Sequence, residues 1–203
     1  MAPSEVLPWL AMRGGRPLSP KGLEVEGPGL DDLISRTLKR YDRLLLWDVD
    51  GIERGRPSLE LYRRFEGKGL WVDGGIESID GFIDVIVAGA EVAVLNFRTL
   101  PSLDVLREAG KMTEKLAICV EEGEAVLTRD RRFRDMKPED LFREALDAGV
   151  TKGVYLHDLG LREAPAWIET LGGMTLFAGP TMSSGSQKDE LKWGTVVDVY
   201  ELI

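Results

Sequence analysis

The stretch Leu44–Ser78, LLLWDVDGIERGRPSLELYRRFEGKGLWVDGGIES, decides the fold. Two short apolar runs, Leu44–Trp47 and Gly69–Val72, each lead into an aspartate followed closely by glycine. The segment between them, Ser58–Phe65, has the apolar spacing of a helix. The pattern predicts a strand, a helix and a second strand, with polar residues at the carboxyl ends of the strands. Parallel α/β folds carry their chemistry at those ends.

The same alternation extends over the rest of the chain. The predicted strands are Val6–Met12, Leu44–Asp48, Leu70–Asp73, Val92–Leu95, Leu116–Val120, Lys152–Leu156, Met174–Ala178 and Val196–Tyr200. The predicted helices are Leu30–Arg40, Ser58–Phe65, Ile79–Ala88, Ser102–Ala109, Pro138–Ala148, Glu163–Leu171 and Lys188–Trp193.

Eight strands that alternate with helices predict an α/β fold, specifically a small (β/α)8 TIM barrel lacking a final covering helix. We expect one domain that spans residues 1–203. The alternative is an open doubly wound sheet, which needs a switch point and usually has fewer strands.

The composition of the chain argues against several classes of binding partner. A formal net charge of -9 argues against a nucleic-acid partner, which requires a basic face, and fits an acidic protein that handles small molecules. The single cysteine, Cys119, excludes an internal disulfide and a cysteine-rich metal site. No apolar run reaches the about 18 residues of a membrane span, and the first residues lack the pattern of a signal peptide. We therefore expect no membrane partner and a cytoplasmic location.

Four motifs, in this order along the chain, resemble those of ProFAR isomerase and its cyclase relative, the barrels of histidine biosynthesis. They are Leu7–Gly15 (LPWLAMRGG), Trp47–Gly51 (WDVDG), Val72–Ser78 (VDGGIES) and Gly89–Val94 (GAEVAV). The chain is most similar to the divergent branch described as ProFAR-isomerase-related, which includes archaeal proteins of methanogens and proteins of methylotrophs. The resemblance implies a phosphorylated ligand and isomerase-like chemistry, and it hints at the synthesis of a one-carbon carrier.

The resemblance also implies two proton-transfer aspartates, at the ends of the first and fifth strands, and the sequence departs from the family at both. The first position holds Ala11, and the second falls at Cys119 or Val120. Alanine and valine cannot transfer protons, so isomerisation by the family's mechanism is not expected. Glu121, one residue further on, is a candidate for the second role.

Other candidates for a catalytic role are the acidic residues at predicted strand ends, Asp48, Asp73 and Asp158. Carboxylates that lie close together raise one another's pKa and can supply a proton donor and an acceptor. They can also bind a divalent cation, so Mg²⁺ is an alternative; no other cofactor and no metal-ligand set is predicted. The structural alternative is that some of them cap helices or pair with arginines.

Candidate anion-binding residues follow the third and seventh strands. Gly74, Gly75 and Ser78 can present backbone N–H groups to a phosphate, or they can form a tight turn that ends in a helix cap. Ser183 and Ser184 can do the same, or can belong to a polar loop. Two arginines complete the set, each of which can bind an anion or form a salt bridge: Arg13 and Arg98.

We therefore expect a ProFAR-isomerase-related protein with an altered site that binds or converts a small anionic, phosphorylated metabolite. The first alternative is a non-catalytic metabolite-binding protein or a subunit of a complex, for which Trp167, Trp193 and Tyr200 would favour a homodimer. The second is a haloacid-dehalogenase-type phosphatase, because Asp48-Val49-Asp50-Gly51 matches the D-x-D-G motif of that class. The late aspartate pair of that class is missing here.

Overall fold

The computed structural model describes residues 6–19, 22–157, 165–180 and 194–201. Its strands are β1 (Val6–Arg13), β2 (Arg16–Leu18), β3 (Leu44–Asp48), β4 (Leu70–Asp73), β5 (Val92–Asn96), β6 (Leu116–Glu122), β7 (Lys152–His157), β8 (Thr175–Pro180) and β9 (Gly194–Asp198). Its α-helices are α1 (Leu30–Tyr41), α2 (Val49–Arg54), α3 (Leu59–Arg63), α4 (Ile79–Val87), α5 (Leu103–Met112) and α6 (Pro138–Asp147).

All nine strands belong to one sheet, in the order β2-β1-β3-β4-β5-β6-β7-β8-β9. In this order, each pair of neighbouring strands from β1–β3 to β8–β9 is parallel. Only β2 is antiparallel to its neighbour, β1. β1 also pairs in parallel with β9, from Val6 opposite Thr195 to Trp9 opposite Asp198. Each of the eight predicted strand segments therefore contains a strand, although Val199 and Tyr200, which end the last segment, belong to a 3-10 helix. The carboxyl ends of these strands lie at one edge of the sheet.

The prediction of a (β/α)8 TIM barrel is nevertheless wrong. The sheet is mixed, and the described residues contain six α-helices, two of which, α2 and α3, follow the same strand. The physical reason for the extra strand is a turn at Gly14 and Gly15, where both residues have positive φ and fold the chain back onto β1.

Some of the predicted helices are confirmed by the structure and others are not. α1, α4, α5 and α6 lie where the apolar spacing placed them, and α6 has its proline in the first turn. The predicted helix Glu163–Leu171 is a short 3-10 helix, Ala166–Thr170, in its described part. The predicted helix Lys188–Trp193 lies outside the described residues. None of the helices in the described ranges is long and apolar enough to cross a membrane.

The buried apolar side chains form two cores, one on each face of the sheet. The inner core is built from strand residues alone, among them Trp9, Leu45, Trp71 and Phe177. The outer core lies between the sheet and the helices. Both faces of the strands are thus buried, which explains why the strands read as continuous apolar runs.

Trp167 and Tyr200, which were only candidates for an association surface, pack against the outer core. The ring of Trp167 stacks on that of Phe142, with the centroids 5.7 Å apart. Trp193 lies outside the described residues. A homodimer stays a prediction.

The loops that follow β3 and β4 pack backbone against backbone. A Cβ added to Gly51 would lie 2.3 Å from the carbonyl oxygen of Gly74, and one added to Gly75 would lie 2.2 Å from that of Gly51. Gly75 also has a φ of 71°, in the left-handed region. This contact fixes the start of α2 against the end of β4.

We expect Gly75→Ala to lower the free energy of unfolding by about 3 kcal/mol or more, because a strained φ adds to an overlap with backbone atoms that cannot move aside. Gly67→Ala is the matched control, since Gly67 has a φ of 69° but open space around its Cβ position. The control should lose only about 1–2 kcal/mol. Urea unfolding measures both, and equal losses would contradict the packing argument.

Candidate functional site

Four side chains meet at the carboxyl ends of β4, β5 and β6, and we call them the carboxyl-end cluster: Asp73, Asn96, Arg98 and Glu121. Asp73, Asn96 and Glu121 each lie two residues beyond an inner-core side chain of the same strand. Because side chains alternate along a strand, all three project on the inner face. Asp73 is 0% exposed and Glu121 is 1% exposed, so two carboxyl groups are withdrawn from water.

The amide of Asn96 holds these two carboxyl groups together. Its Nδ2 donates to Asp73 Oδ2 at 2.8 Å and to Glu121 Oε1, also at 2.8 Å. Its Oδ1 accepts a hydrogen bond from the backbone N–H of Arg98 at 3.0 Å. Both amide hydrogens and the amide oxygen are therefore used, which fixes the orientation of the side chain.

Arg98 supplies the positive charge of the cluster. Its Nη2 lies 2.6 Å from Glu121 Oε2, while 41% of its side chain is exposed. The guanidinium has five N–H donors, and its side-chain hydrogen bonds to other described residues use Nη2 alone. Arg98 can therefore remain paired with Glu121 and still bind an anion from solvent.

Burial shifts the protonation of both acids. Burial raises the pKa of Asp73 to about 7, although the hydrogen bond from Asn96 opposes the shift; the charge of Glu121 adds to it. Burial also raises the pKa of Glu121, opposed by Arg98 and Asn96. At neutral pH, Asp73 is thus a group that can both give and accept a proton.

The indole of Trp47 lies beside the cluster. The Arg98 guanidinium carbon is 5.9 Å from the Trp47 ring centroid, and Trp47 pairs in register with Asp73 on the neighbouring strand. The Trp47 Nε1–H is buried and has no hydrogen-bond partner in the described part of the chain. Buried donors are nearly always paired in folded proteins, so this N–H is a group that a bound ligand can satisfy.

Of the positions that the family resemblance pointed to, Ala11 and Cys119 lie in the inner core, and Val120, the alternative to Cys119, lies in the outer core. Ala11 is 6% exposed and Cys119 is 0% exposed. Burial, together with the charges of Glu121 and Asp73, raises the pKa of the Cys119 thiol, so it stays protonated. Neither side chain can transfer a proton, whereas Glu121 lies next to Asp73 as part of the cluster.

Asp48 does not join the cluster. Its neighbour Trp47 packs against the inner core, so Asp48 projects to the helical side of the sheet, where it is 0% exposed. Its Oδ2 accepts hydrogen bonds at 2.6 Å from both Ser58 N and Tyr62 Oη, and its Oδ1 accepts from Gly51 N. The carboxylate therefore anchors the segment that connects β3 to α3, and it is not placed as a nucleophile of the haloacid-dehalogenase type.

The residues of the predicted phosphate loop make structural contacts, and phosphate binding there stays a prediction. Gly74 and Gly75 are buried, and the Gly75 N–H donates to Asp73 Oδ1 at 3.3 Å. Ser78 caps α4 by accepting a hydrogen bond from Gly81 N. These contacts correspond to the tight-turn alternative, and the glycines serve the site by positioning Asp73.

The remaining candidates are held elsewhere or not described. Arg13 forms an ion pair with Glu53 of α2 at 2.8 Å. Asp158, Ser183 and Ser184 lie outside the described residues. Within the described ranges, no group of three or more histidine, cysteine, aspartate or glutamate side chains is arranged to hold a metal ion.

The sequence analysis did not predict Asn96 as a site residue, although its position at the end of an apolar strand indicates one. Asn96 is the polar end of the apolar strand Val92–Asn96, two residues beyond Val94. It also missed Trp47 and Tyr62, since aromatic residues in apolar runs are usually simple core residues.

Comparison of the sequence with protein-family models and with curated proteins gives no match.

We expect Asp48→Ala to lower the free energy of unfolding by about 3 kcal/mol or more, because it leaves buried donors without acceptors. Tyr62→Phe removes only one of these hydrogen bonds and should cost about 1–2 kcal/mol. In the double variant the two losses should not add, since either substitution alone removes the hydrogen bond between Tyr62 and Asp48. Urea unfolding of the four proteins tests this, and full additivity would contradict the contact.

The raised pKa of Asp73 predicts a defined pH dependence of stability. The folded protein holds this proton more tightly than the unfolded chain, so the contribution of Asp73 is fully present below its ordinary pKa of 3.8 and is lost as the pH rises through about 7. The stability of Asp73→Asn relative to the unchanged protein should therefore rise by about 2–3 kcal/mol between about pH 5 and about pH 8.

Urea unfolding across this pH range measures the effect. Arg98→Gln provides a second test of direction, because the positive charge of Arg98 lowers the pKa of Asp73. Its removal should shift the midpoint of the pH dependence upward. Parallel pH profiles for the unchanged protein and Asp73→Asn would disprove the assignment.

Proposed function

We propose that this protein binds a small anionic, phosphorylated metabolite at the carboxyl-end cluster and transfers a proton to or from it through Asp73. The observation that carries the proposal is the fully buried Asp73 carboxyl group, hydrogen-bonded through Asn96 to Glu121 and with a pKa of about 7. General acid–base catalysis is most effective when the pKa of the group lies near the working pH.

Each member of the cluster has a role in this scheme. Asp73 gives or takes the proton, and Asn96 fixes the carboxyl oxygen that does not react. Glu121 keeps the guanidinium of Arg98 in place, and the exposed part of Arg98 binds the anionic group of the ligand. The unpaired indole N–H of Trp47 is a further donor for a ligand oxygen.

The motif resemblance to ProFAR-isomerase-related proteins supports a phosphorylated ligand, and a role in making a one-carbon carrier belongs to the same proposal. The different proton-transfer positions mean that the reaction is not the isomerisation of that family. A cytoplasmic location fits a metabolite of this kind and is part of the proposal.

A second candidate function is binding without turnover. It is favoured by one observation: the positions that would hold the family's proton-transfer aspartates are Ala11 and either Cys119 or Val120, and all three side chains are buried. In that case, the cluster binds the ligand without converting it, and the protonation of Asp73 only changes the charge of the cluster.

The test has a binding step and a chemistry step. Thermal shifts with a panel of phosphorylated metabolites, including ProFAR and pterin and furan phosphates, identify a ligand; saturation at a hundred times its Kd adds about 2.7 kcal/mol of stability. Incubation of that ligand with the protein in D₂O, followed by mass spectrometry, then reports proton transfer at carbon as deuterium uptake.

We expect Asp73→Asn to slow the deuterium uptake by about 100-fold or more while the ligand still binds. Arg98→Gln should weaken binding about tenfold, through loss of a charge-assisted hydrogen bond. Arg107→Gln is the matched control, because Arg107 is also about half exposed and ion-paired, with Glu144. Binding without deuterium uptake would select the non-catalytic candidate, and no binding by any member of the panel would contradict both.

A further inference from the structure

A second site lies at the opposite end of the strands. A cavity of about 870 Å³ opens among the amino ends of β3, β4, β5 and β7. Its volume is within the range of small-molecule sites. None of the residues that line it belongs to the carboxyl-end cluster; they include Lys39, Arg43, Lys68, Trp71, Glu91 and Lys152.

The charge of this cavity is opposite to that of the protein. Four cationic side chains line it, against two carboxylates, Asp42 and Glu91. The chain as a whole has a formal net charge of -9, so a local excess of positive charge is a departure from the rest of the surface. Solvent and Arg43 largely offset the charge of Asp42, because its side chain is 70% exposed and its Oδ1 lies 3.0 Å from Arg43 Nε.

Two of the cations, Lys152 and Arg43, are held in place by contacts that leave further donors free to bind. Lys152 Nζ donates to the Glu114 carbonyl oxygen at 2.7 Å, which uses one of its three hydrogens. Arg43 donates through Nε to Asp42, and its guanidinium carbon lies 5.7 Å from the centroid of the Phe177 ring. Pre-positioned cations lose little side-chain entropy when an anion binds.

The apolar part of the lining adds a second requirement on the ligand. Leu38, Trp71 and Val92 contribute buried apolar side chains, and the Trp71 and Phe177 rings meet edge to face with centroids 5.7 Å apart. A ligand that occupies the cavity therefore meets an aromatic and aliphatic surface as well as ammonium and guanidinium groups.

We propose that this cavity at the amino ends of the strands is a second binding site, for a small phosphorylated molecule with an aromatic or apolar portion. It is separate from the site of the proposed function and does not depend on that function.

Isothermal titration calorimetry with phenyl phosphate and with inorganic phosphate tests the proposal. Phenyl phosphate should bind more tightly than inorganic phosphate, since its ring can contact the apolar lining. Arg43→Gln and Lys152→Gln should each weaken phenyl phosphate binding about tenfold, which corresponds to loss of one charge-assisted hydrogen bond. Lys39→Gln changes an exposed residue of α1 without touching either core, and should weaken binding about threefold through charge alone.

Lys111→Gln is the matched control, because Lys111 is exposed in the last turn of α5 and does not line the cavity. It should leave the affinity within about twofold of that of the unchanged protein. Arg98→Gln separates the two sites: an unchanged affinity in this variant supports the proposal, whatever the outcome at the carboxyl-end cluster. The proposal is overturned if Lys39→Gln and Lys152→Gln bind like the unchanged protein, or if Arg98→Gln alone abolishes binding.

Discussion

The site depends on one constraint, the burial of two carboxyl groups, Asp73 and Glu121, around a single amide. Two ionised carboxylates in a water-free environment repel each other and lose their hydration, so the arrangement requires a proton, a counter-charge or both. Asn96 supplies a hydrogen to each acid, Arg98 supplies the charge on the Glu121 side, and the raised pKa of Asp73 favours a proton there. The orientation of Arg98 follows from the same amide, which accepts the Arg98 backbone N–H.

Two aspartates with the same sequence environment have opposite roles, and the reason is strand alternation. Asp48 and Asp73 both end an apolar strand and both precede glycine-containing loops. In the sheet, Trp47 rather than Asp48 is the register partner of Asp73. Asp73 therefore projects to the inner face, while Asp48 projects to the helices and anchors Ser58 and Tyr62. The sequence could not separate them, because both faces of these strands are buried and the apolar runs show no alternation.

The strands and the longer helices could be predicted because they rest on apolar periodicity, which local sequence carries directly. The antiparallel β2 could not, since it depends on the turn at Gly14 and Gly15 and spans only three residues. The short helix α2 was also missed, because its six residues give no periodic signal and its start is fixed by a cap from Asp48. Of the candidate site, Asp73 was predicted as an acidic residue at a strand end, Glu121 from the family resemblance and Arg98 as an anion-binding arginine. Asn96 gains its importance only from the two acids that it joins.

Charge distinguishes the two ends of the strands in a way that bears on ligand binding. An anion that binds the remaining donors of Arg98 shares the guanidinium with Glu121, and it encounters a cluster whose charge depends on the proton at Asp73. With that proton bound, the cluster of one arginine and one ionised carboxylate is neutral; without it, the cluster carries one negative charge. Anion binding at the carboxyl ends is therefore linked to proton uptake by Asp73, because each favours the other. At the amino ends the cations face exposed carboxylates and solvent, so binding there has no such buried proton to couple to. In the two proposals, the same strands carry a site for proton transfer on an anionic ligand at one end and a second anion site, without a buried acid, at the other.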